Sequence, residues 1–193
     1  MNIVFLDRDG VINKFPGNGK YVTKVKDFHF IPGALEAIRA LTEKGYTLFV
    51  VSNQAGVGKG VYSRKKLTQI TQYMLKHVRG LKGRIKKVMY CTHRSDHGCD
   101  CRKPDIGNIL KGLKSMNKSV KDADQAFFVG DTETDILAGR NAGCRTIFVL
   151  SGHETRQSIR TWHVEPDYIA KNLLEASRII MRKNSASAKK RKK

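Results

Sequence analysis

Asp7 and Asp9 stand two residues apart, directly after the apolar run NIVFL. Side chains two apart in an extended segment point to the same face, so both acids can address one ligand. A third acid, Asp131, follows another apolar run, QAFFVG. Carboxylates gathered in this way make a hard oxygen site suited to Mg2+. Two acids can also divide phosphoryl transfer between them. One carboxylate attacks phosphorus and forms an acyl phosphate. The other protonates the leaving oxygen and later deprotonates the hydrolytic water. Carboxylate and phosphate dianion repel, so a cation is needed to bring them together. Ser52, at the end of YTLFVV, can donate a hydrogen bond to a phosphoryl oxygen, and Lys103 can neutralise charge that spreads in the transition state. An isolated D-x-D is a weak signal, because acids also cap helices. The four stations in this chain order are a strong one.

A second group of residues is soft. Cys91, His93, Cys99 and Cys101 form C-x-H-x5-C-x-C, one imidazole and three thiolates, a set suited to structural Zn2+ with no open position. His97, in the same loop, can compete as a ligand. Arg102 and Lys103 follow at once, so a metal here would brace the loop and hold both cations toward the phosphate. Zinc is expected as a brace and Mg2+ as the catalytic ion. Cys144, at the start of an apolar run, reads as a core cysteine.

The elements that must position these residues alternate. NIVFLD, YTLFVVSN, IKKVMYC, QAFFVGD and CRTIFVL read as short buried strands. Between them, GALEAIRALTEKG places Leu35, Ile38 and Leu41 at helical spacing and stops at Gly45. SRKKLTQITQYMLKHV opens on a capping Ser and sets Leu67, Ile70, Met74 and Val78 on one face. IGNILKGLKSM and TDILAGRNAG also read as helices. An edge strand over 167–170 and a final helix from about Asn172 to Met181 complete the pattern. The expected fold is α/β: a Rossmann-like, doubly wound parallel sheet with helices on both faces, no large cap domain and a small zinc-binding loop. Residues 1–181 are expected to form one domain, with a flap over 11–31 and the zinc loop over 91–103. In such sheets ligands sit beyond the carboxyl ends of the strands, which is where the four stations fall.

A chain of 193 residues with 40% hydrophobic and 28% charged residues is a folded domain rather than a disordered one. No apolar run approaches the ~20 residues of a membrane helix. MNIVFLDRDG reads as a first strand rather than an export signal, so a reducing, cytoplasmic setting is expected, where cysteines serve metals before disulfides. The formal charge of +20 includes seven Lys or Arg in the last thirteen residues, which hold no acid. Residues 182–193 are therefore expected to be a basic, unstructured tail. The charge favours anionic partners. These are a small phosphorylated metabolite at the site and weak nucleic-acid or anionic-surface contact through the tail.

FLDRDG, VVSNQ, RKPD and VGDTETD resemble the four motifs of the haloacid dehalogenase-like phosphatases. Nearly to Asp167 the chain is similar to the heptose bisphosphate and histidinol-phosphate phosphatases of that superfamily. The resemblance implies Asp7 as nucleophile and Asp9 as acid/base. It implies Mg2+ held by Asp7, the Asp9 carbonyl and Asp131, with Asp135 supporting from behind, one helical turn on. It implies Ser52 and Lys103 on the phosphoryl group, Arg102 in substrate recognition, and His93 rather than His97 as the zinc ligand. The short gap from His93 to Cys99 is like the histidinol-phosphate branch, whereas GKYVTKVKDFHFIPGALEAI and SNQAGVGKGVYS look more like the heptose branch. The heptose likeness points to Lys20 and Tyr21 as substrate contacts, with Asn53, Gln54 and Ala55 behind Ser52. Thr132, next to Asp131, completes the expected contacts.

The leading expectation is a Mg2+-dependent, monomeric phosphatase that hydrolyses a small phosphomonoester through an aspartyl phosphate. D-glycero-D-manno-heptose 1,7-bisphosphate or a similar sugar phosphate is the expected substrate. Histidinol phosphate is the alternative metabolite, and an open site without a large cap would also admit a phosphorylated 3′ end of a nucleic acid. A non-enzymatic zinc-containing nucleic-acid binder is disfavoured, because every catalytic station is filled and no aromatic stacking platform is visible.

Overall fold

The computed structural model of the chain describes residues 2–190, the last seven as backbone. Six strands form one parallel sheet: β1 (Ile3–Leu6), β2 (Thr47–Asn53), β3 (Lys87–Cys91), β4 (Phe127–Gly130), β5 (Arg145–Val149) and β6 (Tyr168–Ala170). Their order is β3-β2-β1-β4-β5-β6, the doubly wound arrangement in which the strand order reverses between β1 and β4. Parallel neighbours require crossovers, supplied by α1 (Ala34–Glu43), α2 (Ala55–Gly58) with α3 (Arg64–Gly80), α4 (Gly107–Lys114), α5 (Glu133–Asn141) and α6 (Leu173–Lys190).

The apolar periodicity decides which side each helix covers. On one face α1 buries Ala34, Ala37, Ile38 and Leu41, with Leu35 only partly buried, and α3 buries Leu67, Ile70, Met74 and Val78. These two, with Leu173, Ala176 and Ile180 of α6, pack on Val4, Leu6, Leu48, Val50, Phe127 and Val129. The alternate strand residues Phe5, Phe49, Val51 and Phe128 meet Ile109 and Leu113 of α4 and Ala138 of α5 on the other face. Phe5 stacks between Phe49 and Phe128, at 5.3 and 6.4 Å between ring centroids, which locks β1 between its neighbours. Ser63 caps α3 by accepting from the Lys66 N–H at 3.3 Å.

Three features depart from the sequence reading. A one-turn helix, α2, follows β2, where the glycines of QAGVGKG hide any periodicity. The flap over 11–31 is held by bridges between Asp9 and Asn13 and between Asn13 and Phe30, and it contains a single 3-10 turn. The final helix does not end near Met181 but continues to Lys190, through a stretch without Gly or Pro. Residues 191–193, the end of the expected tail, lie outside the described residues. Cys144 is buried beside β5, as expected.

Ile38 is fully buried where α1 meets the sheet. Ile38→Ala is expected to destabilise the protein by about 2–5 kcal/mol, read as a lower urea midpoint at unchanged m-value.

Candidate active site

Asp7 directly follows β1, and Asp131 directly follows β4. These are the two strands that flank the reversal in strand order, so the acids face one crevice. Around them opens a cavity of about 350 Å3, lined by Asp7, Asp9, Ser52, Asn53, Lys103 and Asp131 on the sheet side. Phe15 to Tyr21 of the flap, Thr132, Thr134, Asp135 and His153 complete its wall.

At its floor the Lys103 ammonium donates to Asp7 Oδ1 at 2.6 Å and to Asp135 Oδ1 at 2.5 Å, with all three side chains buried. One carboxylate oxygen from each of Asp7, Asp131 and Asp135 lies within 4.8 Å of the others. Three buried carboxylates against one ammonium leave two negative charges uncompensated. Burial pushes the Asp7 carboxyl up to about 6, Lys103 opposing and Asp135 and Asp9 adding to the rise. Burial, then Asp135 and Asp7, hold Asp131 well above the usual range. Burial alone would weaken the Lys103 ammonium, but Asp135 and Asp7 outweigh it and hold it charged. This donor set fits a divalent hard cation in both charge and ligand type. Asp135 has little freedom to do more than support it, because its Oδ2 accepts from the N–H groups of Asp131 and Thr132 and from Thr132 Oγ1. It is at once the capping acid of α5 and the counter-ion of Lys103. Asp131 is packed so tightly that a Cβ on Gly10, at φ +83°, or on Gly152 would collide with it.

Asp9 stands at the wall, its side chain 20% exposed. Its carboxylate accepts from Arg8 Nη2 at 2.9 Å, Asn13 Nδ2 at 2.8 Å and Gln54 Nε2 at 2.8 Å. Gln54 is oriented in turn by Tyr62, whose hydroxyl donates to Gln54 Oε1 at 2.6 Å. The same Gln54 amide donates to Ser52 Oγ at 3.1 Å, which leaves the serine proton free to donate into the cavity. Asn53 makes a reciprocal pair with the Lys103 backbone, Nδ2 to O and Oδ1 from N, both at 3.1 Å. That pair ties the end of β2 to the loop carrying the lysine.

Asp7, Asp9, Ser52, Asn53, Lys103, Asp131, Thr132, Asp135, Lys20 and Tyr21 therefore converge, as the sequence reading expects. Three other expected substrate contacts do not line the cavity. Gln54 spends its amide on Asp9 and Ser52, Ala55 is buried in α2, and Arg102 lies outside the wall. The sequence reading passed over Arg8, Asn13 and Tyr62 behind Asp9, and Phe15 and His153 at the mouth. Arg8, a cation wedged between two acids at a strand end, was a readable sign of a buried ion pair. The strand-end rule applied to β5 would have reached His153, whose N–H donates to Asp131 Oδ2 at 2.7 Å and whose ring packs on Phe15.

The soft ligands also meet. Sγ of Cys91 is 3.6 Å from that of Cys99, Cys101 Sγ is 3.7 Å from Cys99 Sγ, and His93 Nδ1 lies 3.8 and 3.4 Å from Cys91 and Cys101. These are close to the roughly 3.8 Å edge of a tetrahedron with metal–sulfur bonds of about 2.3 Å, and far beyond a disulfide. His97 is not in the cluster.

Buried carboxylates, a separately held Asp9 and a lysine at the crevice of a doubly wound sheet suit a phosphoric monoester hydrolase. A family profile described as HAD-hydrolase-like matches residues 100–176. The D-glycero-alpha-D-manno-heptose-1,7-bisphosphate 7-phosphatase of Campylobacter jejuni is 36% identical over 148 residues, 77% of this chain and 81% of that protein. The D-glycero-beta-D-manno-heptose-1,7-bisphosphate 7-phosphatase of Vibrio cholerae is 38% identical over 157 residues, 77% of this chain and 81% of the relative. The crystal structure of D,D-heptose 1,7-bisphosphate phosphatase from B. bronchiseptica, complexed with magnesium and phosphate, superposes with a TM-score of 0.87 at 27% identity, over 95% of this chain and 99% of the other. The chain belongs to the haloacid dehalogenase-like phosphatases, in the family of the heptose-1,7-bisphosphate 7-phosphatases.

Because the Asp7 carboxyl is raised from 3.8 to about 6, a cation entering at pH 5 must displace its proton, whereas at pH 7.5 it need not. Mg2+ affinity is expected to rise with pH through about 6, with the raised Asp131 carboxyl adding to the rise, read as a larger Mg2+-induced rise in Tm at the higher pH. Equal shifts at both pH values would contradict the assignment.

Proposed function

We propose that this enzyme removes the 7-phosphate of D-glycero-D-manno-heptose 1,7-bisphosphate, with Asp7 as nucleophile and Asp9 as acid/base. The observation that carries the reading is the meeting of Asp7, Asp9, Ser52, Lys103 and Asp131 around one cavity whose outer wall is the flap. The names and coverage of the relatives support the substrate.

In this reading the phosphoryl oxygens take hydrogen bonds from Ser52 Oγ and from the Lys103 ammonium, which keeps donors beyond those given to Asp7 and Asp135. Lys103 also turns Asp7 Oδ1 to one side, and the other oxygen attacks phosphorus. Asp9, steadied by Arg8, Asn13 and Gln54, gives a proton to the leaving sugar oxygen and then takes one from the water that cleaves the aspartyl phosphate. Asp7, the Asp9 carbonyl and Asp131 would hold Mg2+, which supplies charge neutralisation between carboxylate and phosphate. Lys20 and Tyr21 at the rim suit the remote part of a bisphosphate sugar, the lysine by charge and the ring by stacking.

Cys91, His93, Cys99 and Cys101 would hold structural Zn2+ with all four positions filled. Cys101 is two residues from Lys103, and Thr92 accepts from Arg64 Nη2 at 3.2 Å, so the loop spans from α3 to the catalytic lysine. All four cysteines are free thiols, which suits a reducing compartment such as the cytoplasm.

Asp7→Asn is expected to lower kcat for heptose bisphosphate by at least about a thousandfold while the protein still folds, as read by circular dichroism. Turnover that survives the change would remove the proposed nucleophile. A panel that includes histidinol phosphate and 3′-phosphorylated oligonucleotides should give its highest kcat/KM with the heptose bisphosphate, and a clear preference for either alternative would overturn the substrate.

Stripping zinc with a strong chelator and restoring Mg2+ alone should leave activity reduced about tenfold or more, recovered on adding zinc. Full activity without zinc would show that the loop needs no brace.

A further inference from the structure

The positive charge of this chain is not spread evenly. From Lys44 to Ser95 there are twelve Lys or Arg and no Asp or Glu. All seventeen acids lie elsewhere, and outside this segment and the last twelve residues positive and negative charges nearly cancel. Every one of the twelve cations is exposed. Among the described residues only Arg94 has an acidic partner, Asp96.

The fold gathers part of this charge at the end of the molecule remote from the active site. Helices in parallel crossovers run opposite to the strands, so the carboxyl ends of α1, α3 and α6 meet where the strands begin. Lys44 ends α1, while Arg79, Lys82, Arg84 and Lys86 lie in the segment from the end of α3 to β3. The rim is tied together. Arg84 N donates to Thr42 Oγ1 at 3.0 Å, Lys86 N to Leu48 O at 2.8 Å, and Tyr46 Oη to Ile180 O of α6 at 3.3 Å. That last contact brings the exposed Arg182 and Lys183 to the same end. Arg84 and Lys86 flank a recess of about 490 Å3 beside Gly45 and Tyr46. Two acids adjoin this rim: Glu43, paired with Arg39, and exposed Glu36, which shares a recess with Arg39 and Leu81.

Amid these cations stands an exposed apolar residue. Leu81, in the run RGLKGRIKK, is 45% exposed, one of three large hydrophobics so exposed among the described residues; none of the three is aromatic. A single-stranded nucleic acid asks for aromatic faces on which bases can stack. A basic rim with a protruding leucine is instead complementary to an anionic lipid headgroup layer, the cations meeting phosphates and the leucine entering the acyl boundary.

We propose that this rim, Lys44, Arg79, Leu81, Lys82, Arg84 and Lys86 with the basic end of α6, docks the enzyme reversibly on an anionic phospholipid surface. The catalytic mouth lies at the far ends of the strands, roughly 20 Å away along β2, and so stays open to solvent. Each cation near such a surface strengthens binding by about fivefold, and salt weakens it.

The test is flotation of the full-length, metal-loaded enzyme with vesicles of phosphatidylcholine alone and with about 30% phosphatidylglycerol, at about 50 mM and about 500 mM salt. Binding is expected only to the anionic vesicles and only at low salt. The variant Arg79→Gln/Lys82→Gln/Arg84→Gln/Lys86→Gln should bind at least about a hundredfold more weakly with unchanged turnover of p-nitrophenyl phosphate, which also reports its fold. Leu81→Ser alone should weaken binding several-fold, whereas Lys65→Gln/Lys66→Gln, at the other end of α3, should have a much smaller effect. Three results would overturn the proposal: no flotation with anionic vesicles, unchanged flotation of the four-residue variant, or tighter binding of a single-stranded RNA oligonucleotide through the same four cations.

Discussion

The catalytic end of this enzyme is organised around one buried ammonium. Lys103 sits between Asp7 and Asp135 and offsets charges that could not otherwise share a water-poor crevice. Breaking such a buried pair on one side typically costs about 3–5 kcal/mol, because the remaining charge is left uncompensated. The lysine therefore holds the crevice together. It steadies Asp7 and holds Asp135, the acid that caps α5.

That arrangement explains why so much of the surrounding chain serves to place one residue. Asn53 grips the lysine's backbone from the end of β2. The Cys and His cluster stands just before it, and β1 and β4 bring Asp7 and Asp131 to the same crevice. Even after this compensation two negative charges remain, and a divalent cation is the natural counterpart. Burial raises the Asp7 and Asp131 carboxyls, so a cation binding there competes with protons. Asp9 is treated differently. Arg8, fully buried, and the Gln54–Tyr62 pair support it from behind, so Asp7 and Asp9 have separate surroundings only two residues apart.

Much of this was readable before any coordinates. Apolar runs bounded by acids or glycine located the five long strands, and the helical spacing of Ile70, Met74 and Val78 named the buried face of α3. What escaped was local and had no period. The short helix α2 is too brief for a repeat to show. The three residues behind Asp9 come from 8, 13 and 62, and only packing makes them neighbours. Gln54 was expected at the substrate because it follows Ser52. The direction of its amide depends on Tyr62, which sequence order cannot supply.

By itself the sequence determined the alternation of strands and helices, the kinds of ligand available and the order of the catalytic stations, because burial and periodicity are written residue by residue. Tertiary structure alone decided which acid pairs with Lys103, which donors saturate Asp9, and which cations gather at the end opposite the active site. Those outcomes depend on distances between segments remote in the chain. In a low-dielectric crevice an ångström of separation changes the energy of a charge pair more than the choice between two acids does.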